Sequence, residues 1–263
     1  MDLHPDTFFQ ERLSGEVTLW FPAVVVFAAA VVQAGFVGLF VSSVDRLIPY
    51  QGLLDPAMPM VPISCLIAEC VIWVLLAAYF WIFTPGPAGS PRQNSFKKTL
   101  AVSGYGRIPV VIGYIILAVL FVVVWPMAGI APTPGEKYYE YLDAEAEMRV
   151  YLDQNLPEIL TTTGSELRVL PLQREVQSLQ REAREEALAG YSQVIDQVKQ
   201  SPVMIAFFAA AKGLLVILIL WGGTIMAFGL KQAAGISMKA SAILVAVPVG
   251  LQILLLVMSG PMP

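Results

Sequence analysis

Five long apolar runs set the terms on which this chain can fold. They cover about Thr18–Val41, Val61–Phe83, Ile108–Ile130, Val203–Gly229 and Ala240–Ser259. Each is close to the roughly 20 residues that cross about 30 Å of hydrocarbon as a helix. Of 16 Lys and Arg and 20 Asp and Glu, only Glu69 and Lys212 fall inside them. A bilayer admits such runs as helices, because every backbone N–H and C=O must be bonded without water. The expected fold is therefore all-α: a polytopic bundle of five transmembrane helices with an external helical segment. Residues 1–130 would carry an N-terminal interfacial segment and three spans, 131–202 an extracytoplasmic insertion, and 203–263 two further spans.

Composition agrees and excludes other classes. The chain of 263 residues is 57% hydrophobic and 14% charged, against about half and a quarter in soluble domains. Its net charge of −4 offers no basic footprint for nucleic acid. The segment before the first run is acidic (Asp2, Asp6, Glu11, Glu16 against Arg12), and the run is too long for a signal-peptide core. It is expected to stay as a membrane helix.

Orientation follows from Lys and Arg in short loops. Arg92, Lys97, Lys98 and Arg107 precede the third run, and Lys231 and Lys239 precede the fifth. Both loops are expected in the cytoplasm. The loop after the first run has only Arg46, beside Asp45 and Asp55. The N-terminus is then cytoplasmic, and the C-terminus and residues 131–202 lie outside a cell membrane. Within 131–202 two helical pieces are expected, about Gly135–Gln154 and Ser165–Gln200, broken by Thr161-Thr162-Thr163-Gly164. Pro171 should bend or delay the second. Leu172, Val176, Leu179, Ala183, Leu188, Tyr191, Ile195 and Val198 form its three/four-spaced apolar stripe, a hairpin or coiled-coil-like face. Arg181 and Glu185 are spaced to pair on the exposed side.

Glu69 and Lys212 are the candidate functional residues. Charge inside a bilayer is costly and usually faces the bundle or a cavity. At about 1.5 Å per residue, both lie roughly 12–14 Å below the outer edge. Mutual contact is expected, with Gln33 and Gln252 completing an intramembrane polar layer. Small residues at Ala30, Ala34 and Gly38, and at Ala209 and Gly213, are spaced for close helix packing. Cys65 and Cys70 are placed on different faces of one helix, so no mutual disulfide is expected. The single histidine, His4, and these two thiols make no metal set. Gly104-Tyr105-Gly106 lacks the preceding strand of a nucleotide loop, and no nucleophile or zinc motif occurs. No cofactor and no catalytic residue are expected.

Three stretches resemble the Yip-one domain family of five-span membrane proteins, in its prokaryotic style. The first is Pro5-Asp6-Thr7-Phe8-Phe9, similar to the family's Pro-x-x-Phe-Phe opening; Asp6 could cap a short helix, with Phe8, Phe9 and Leu13 in the interface. The second and most specific is Phe96-Lys97-Lys98, with Gly104-Tyr105 and Pro109, similar to the cytoplasmic segment entering the third span. Lys97 and Lys98 can meet lipid phosphates there. The third is Gly235–Ala240, leading to Pro248. The resemblance implies a non-enzymatic scaffold or adaptor with the lipid bilayer and protein partners, and leaves a homo-oligomer open. Eukaryotic members contact Rab-type GTPases, but their Asp-Leu-Tyr-Gly-Pro motif is absent here. The rival expectation is a small transporter or channel component using the Glu69/Lys212 layer.

Overall fold

A computed structural model describes residues 5–14, 16–49, 60–84, 95–161 and 166–258. Among them every regular element is a helix. In chain order these are α1 (Pro5–Leu13), α2 (Trp20–Asp45), α3 (Met60–Phe83), α4 (Phe96–Tyr105), α5 (Ile108–Val124, followed by a 3-10 turn Trp125–Ala128), α6 (Glu136–Thr161), α7 (Glu166–Gln200), α8 (Pro202–Ala234) and α9 (Met238–Met258). His4 and Ser259, like the break at 162–164, lie outside the described residues.

Five segments are long and apolar enough to span a membrane: Trp20–Asp45, Pro62–Phe83, Phe96–Ala128, Pro202–Ala234 and Met238–Met258. The chain is an all-α, multi-pass membrane protein. Most of its span surface is left uncovered: Phe27, Leu75, Val123, Ile217 and Ile243 are all more than half exposed. Apolar side chains in that position are in contact with lipid. The third span begins at Phe96, not near Ile108 as expected. α4 is an extension of it, with Thr99, Ala101, Val102, Ser103 and Tyr105 buried. Only Lys97 and Phe96, at its first turn, stay exposed. Ser95 caps that turn by accepting from the Lys98 N–H.

The chain divides into two compact units. One comprises residues 1–39, 58–127 and 202–263, the other 40–57 and 128–201. In the first, α8 is the hub, packed against α9, α5, α1 and α4, while α3 packs on α4. Glycine makes this possible. A Cβ on Gly222 would lie 2.5 Å from the Gly106 carbonyl oxygen, and one on Gly106 would lie 2.5 Å from Met226 Cγ. Gly113 faces Leu218 and Gly229 faces Val102 in the same way. Of the small residues spaced for close packing, Ala30 is buried, whereas a Cβ on Gly38 or Gly213 would meet open space and Ala209 is exposed. α8 ends at Gly235, whose φ of 63° is the left-handed closing conformation that glycine adopts without strain. Ser237 then opens α9, accepting from the Ala240 N–H at 3.2 Å.

α1 is docked on the bundle. Phe9 and Leu13 are 2% and 3% exposed and join Tyr105, Val102 and Leu230 in the core. Phe8, Phe9 and Tyr105 meet edge-to-face at 5.2–5.6 Å. Asp6 does not cap its own helix; Oδ1 accepts from Lys231 Nζ at 2.8 Å and Gln232 Nε2 at 3.1 Å on α8.

In the second unit, α6 and α7 pack antiparallel. The Lys137 N–H, at the start of α6, donates to Glu186 in the middle of α7, and the Ala131 N–H reaches Gln197 near its end. Ala183, Ala187, Val194 and Val198 of α7 are fully buried. Leu188, expected in the stripe, is 54% exposed, because Ala187 takes the inward position. The exposed ion pairs are Lys137 with Glu140 and Glu182, Arg149 with Glu145 and Lys199 with Asp196, rather than Arg181 with Glu185. Pro171 sits within α7, one turn in.

Gly222→Val should lower the melting temperature in detergent by several degrees, since overpacking costs about 1–3 kcal/mol. Gly213→Ala should be neutral or stabilising, because helical glycine costs about 1 kcal/mol relative to alanine. Differential scanning fluorimetry separates the two.

Candidate functional site: a buried ion pair at a helix break

The third span is not one helix. α4 ends at Tyr105, and α5 starts at Ile108 with Pro109 in its first turn, where a missing N–H costs nothing. Gly106 and Arg107 make the break. Gly104, just before it, faces α2 so closely that a Cβ would stand 2.7 Å from Pro22 Cβ. The Gly104-Tyr105 pair therefore has a packing role: close approach from the glycine, core aromatic from the tyrosine.

α3 supplies the partner groups. The Trp73 indole N–H donates to the Leu100 carbonyl at 2.6 Å, and Ser103 Oγ donates to the Trp73 carbonyl at 3.4 Å. One turn before Trp73 is Glu69. Its Oε2 lies 3.1 Å from Arg107 Nε, and the two side chains are 7% and 9% exposed. At about 1.5 Å per residue, Glu69 is roughly 20 Å along α3 from Phe83, and Arg107 roughly 16 Å from Phe96. The pair thus sits well inside the apolar spans.

Its geometry is close but not ideal. The separation is that of an ion pair, yet Glu69 Oε2, Arg107 Nε and Arg107 Nη2 reach no well-aligned hydrogen bond. At 3.1 Å opposite charges in a low dielectric attract strongly whatever the N–H angle. Tyr114, two turns beyond Arg107, is half-buried and packs on Phe36 at 5.9 Å between ring centres.

The ion partner of Glu69 is therefore Arg107 and not Lys212. The expectation failed because Arg107 was counted as a loop residue, one position outside a span drawn from Ile108. The signal was present in the sequence: Leu100, Ala101 and Val102 extend the apolar run back across Gly104-Tyr105-Gly106, which leaves Arg107 as an interior charge. Lys212 is half-buried on α8 and lines a cavity of about 10 Å³, room for one water at most, with Phe36, Tyr114, Leu117, Phe208 and Leu256. Gln33 and Gln252 are half-buried one turn from Phe36 and Leu256. Cys65 and Cys70 are free thiols. Among the described residues no group of three His, Cys, Asp or Glu could hold a metal ion.

Removing one member of the pair leaves an uncompensated buried charge, which costs about 3–5 kcal/mol. Arg107→Leu and Glu69→Leu should each destabilise strongly, and the double variant should recover most of the loss. Lys212→Leu should cost less than either. Unfolding in mixed micelles, read by tryptophan fluorescence, tests the cycle.

Comparison with known proteins adds an identity to this geometry. The Yip1 domain family matches residues 1–162. The match stops before α8, so the Gly235–Ala240 stretch lies outside it, and it takes in α6. The uncharacterized protein MJ0794 of Methanocaldococcus jannaschii is 30% identical over 115 residues, 43% of this chain and 79% of that one. No solved structure matches. A match over more than half of the chain, on a molecule with five membrane-spanning helices, leads to one conclusion: the chain belongs to the Yip1 domain family.

Proposed function

We propose that this protein is a non-enzymatic membrane scaffold or adaptor, which gathers membrane or protein partners around a rigid five-span bundle. The observation that supports it is the Glu69–Arg107 pair. Its charges are turned on each other and closed off by packing, and its atoms hold α3 to the break between α4 and α5. A relay or transport site needs charges that reach water or cargo. A pair this covered serves packing instead. The small space beside Lys212 admits no more than a water.

The orientation we propose puts Lys97, Lys98 and Lys231 in the cytoplasm and α6 and α7 outside, by the distribution of Lys and Arg. The scaffold would then offer a lipid-facing basic edge on one side and a helical hairpin on the other.

Reconstitution into liposomes should give no ion or proton flux that depends on Glu69. Reproducible flux lost in Glu69→Gln would establish the transporter reading in its place. Orientation is checked in a background with Cys65 and Cys70 replaced by alanine. An impermeant maleimide should label Gln180→Cys from outside and Lys97→Cys only after lysis; the reverse pattern would invert the topology.

A further inference from the structure

The α6–α7 hairpin leaves one helix face unused. On α6, Tyr139 (59% exposed), Leu142 (38%), Ala146 and Val150 (54%) follow a three/four spacing on the side away from the buried seam. Such a row is the face a helix normally buries. Beside it runs a second row, Glu136, Glu140, Asp143 and Glu147, all exposed. At 100° per residue these four fall on the same edge of the apolar row. The opposite edge has Arg149, already 3.5 Å from Glu145. Lys137 lies toward α7, between Glu140 and Glu182.

We propose that this face of α6 docks a basic amphipathic helix of a partner protein, whose apolar row packs on Tyr139, Leu142, Ala146 and Val150 while its Lys or Arg row lies against Glu136, Asp143 and Glu147. Charge complementarity selects the occupant. A second copy paired antiparallel would set acidic row against acidic row, and like charges at that range repel. A second copy paired parallel would offer the acids only one base, Arg149, which is already engaged. An anionic lipid surface is repelled by the same acids. A basic helix alone satisfies both rows, and the acids would also speed its approach. This assignment rests on the scaffold reading for its purpose, but it can fail separately: Glu69-dependent flux would remove the scaffold and leave the docking measurement standing.

The test uses the full chain in zwitterionic nanodiscs, with empty discs subtracted. The probe is a 21-residue Leu/Lys amphipathic peptide, and a Leu/Glu peptide of the same pattern is the control (about six helical turns each). The Leu/Lys peptide should bind at least about tenfold more tightly than the control, a difference of about 1.4 kcal/mol. Binding should weaken as salt rises. A photo-crosslinker in place of Ala146 should capture it. Leu142→Gln with Val150→Gln should weaken binding about tenfold or more. Asp143→Lys with Glu147→Lys should reverse the preference toward the Leu/Glu peptide, a gain that misfolding could not produce. Equal binding of both peptides, no binding of either, or capture insensitive to these substitutions would overturn the proposal. So would a change in oligomeric mass, rather than in peptide affinity, on altering the apolar row.

Discussion

A charge in hydrocarbon is costly unless it meets its opposite, and Glu69 and Arg107 meet in this way within the membrane unit. Glu69 cannot be left alone in α3 without the cost of desolvating a carboxylate, several kcal/mol even after relaxation. Arg107 answers it from the break in the third span, 3.1 Å away. The apolar segment that carries Arg107 begins a full helix before its most apolar part. α4 packs on α3, and Trp73 and Ser103 add hydrogen bonds along the same contact. The pair does not make α3 and α4 adhere by itself. It fixes which register of the two helices is tolerable.

Glycine completes what the pair begins. There is little hydrophobic drive between helices in lipid, so association depends on close van der Waals contact. Gly106 and Gly222 bring the break onto the backbone of α8, and Gly113 and Gly229 continue the contact above and below. α8 then carries α1 at its end through Phe9 and the Asp6–Lys231 contact. A single helix thus holds the broken span, the final span and the N-terminal helix.

The two units are solved in different solvents. The spans keep apolar surface outward and enclose a charge pair. The hairpin of α6 and α7 keeps charge outward and buries Ala183 and Ala187. Membership of the Yip1 domain family covers the first three spans and α6. It brings no chemistry with it, because a fold does not specify a function. What the molecule exposes is the uncovered apolar faces of its spans and the paired apolar and acidic rows of α6.

The sequence alone determined the class, the number of spans, the approximate limits of every span but the third, the helical hairpin and the family resemblance. These are local properties: hydropathy over some twenty residues, three/four spacing, and turn residues such as Ser95 and Gly235 act within a few positions of themselves. The partner of Glu69 was decided by tertiary structure. Depth counted along one helix ranks Lys212 and Arg107 together as candidates only once the true start of the third span is known. Which face each helix turns inward depends on how they cross. The same holds for the glycines. Gly38 and Gly213 have the spacing of a packing motif but face open space, while Gly106 and Gly222 meet because two distant segments happen to cross there. Phe9 and Asp6 read as interface and cap because their sequence neighbours are polar; their true neighbours, on α4 and α8, are about a hundred or more residues away. Spacing encodes what a helix can present, and only packing decides what it meets.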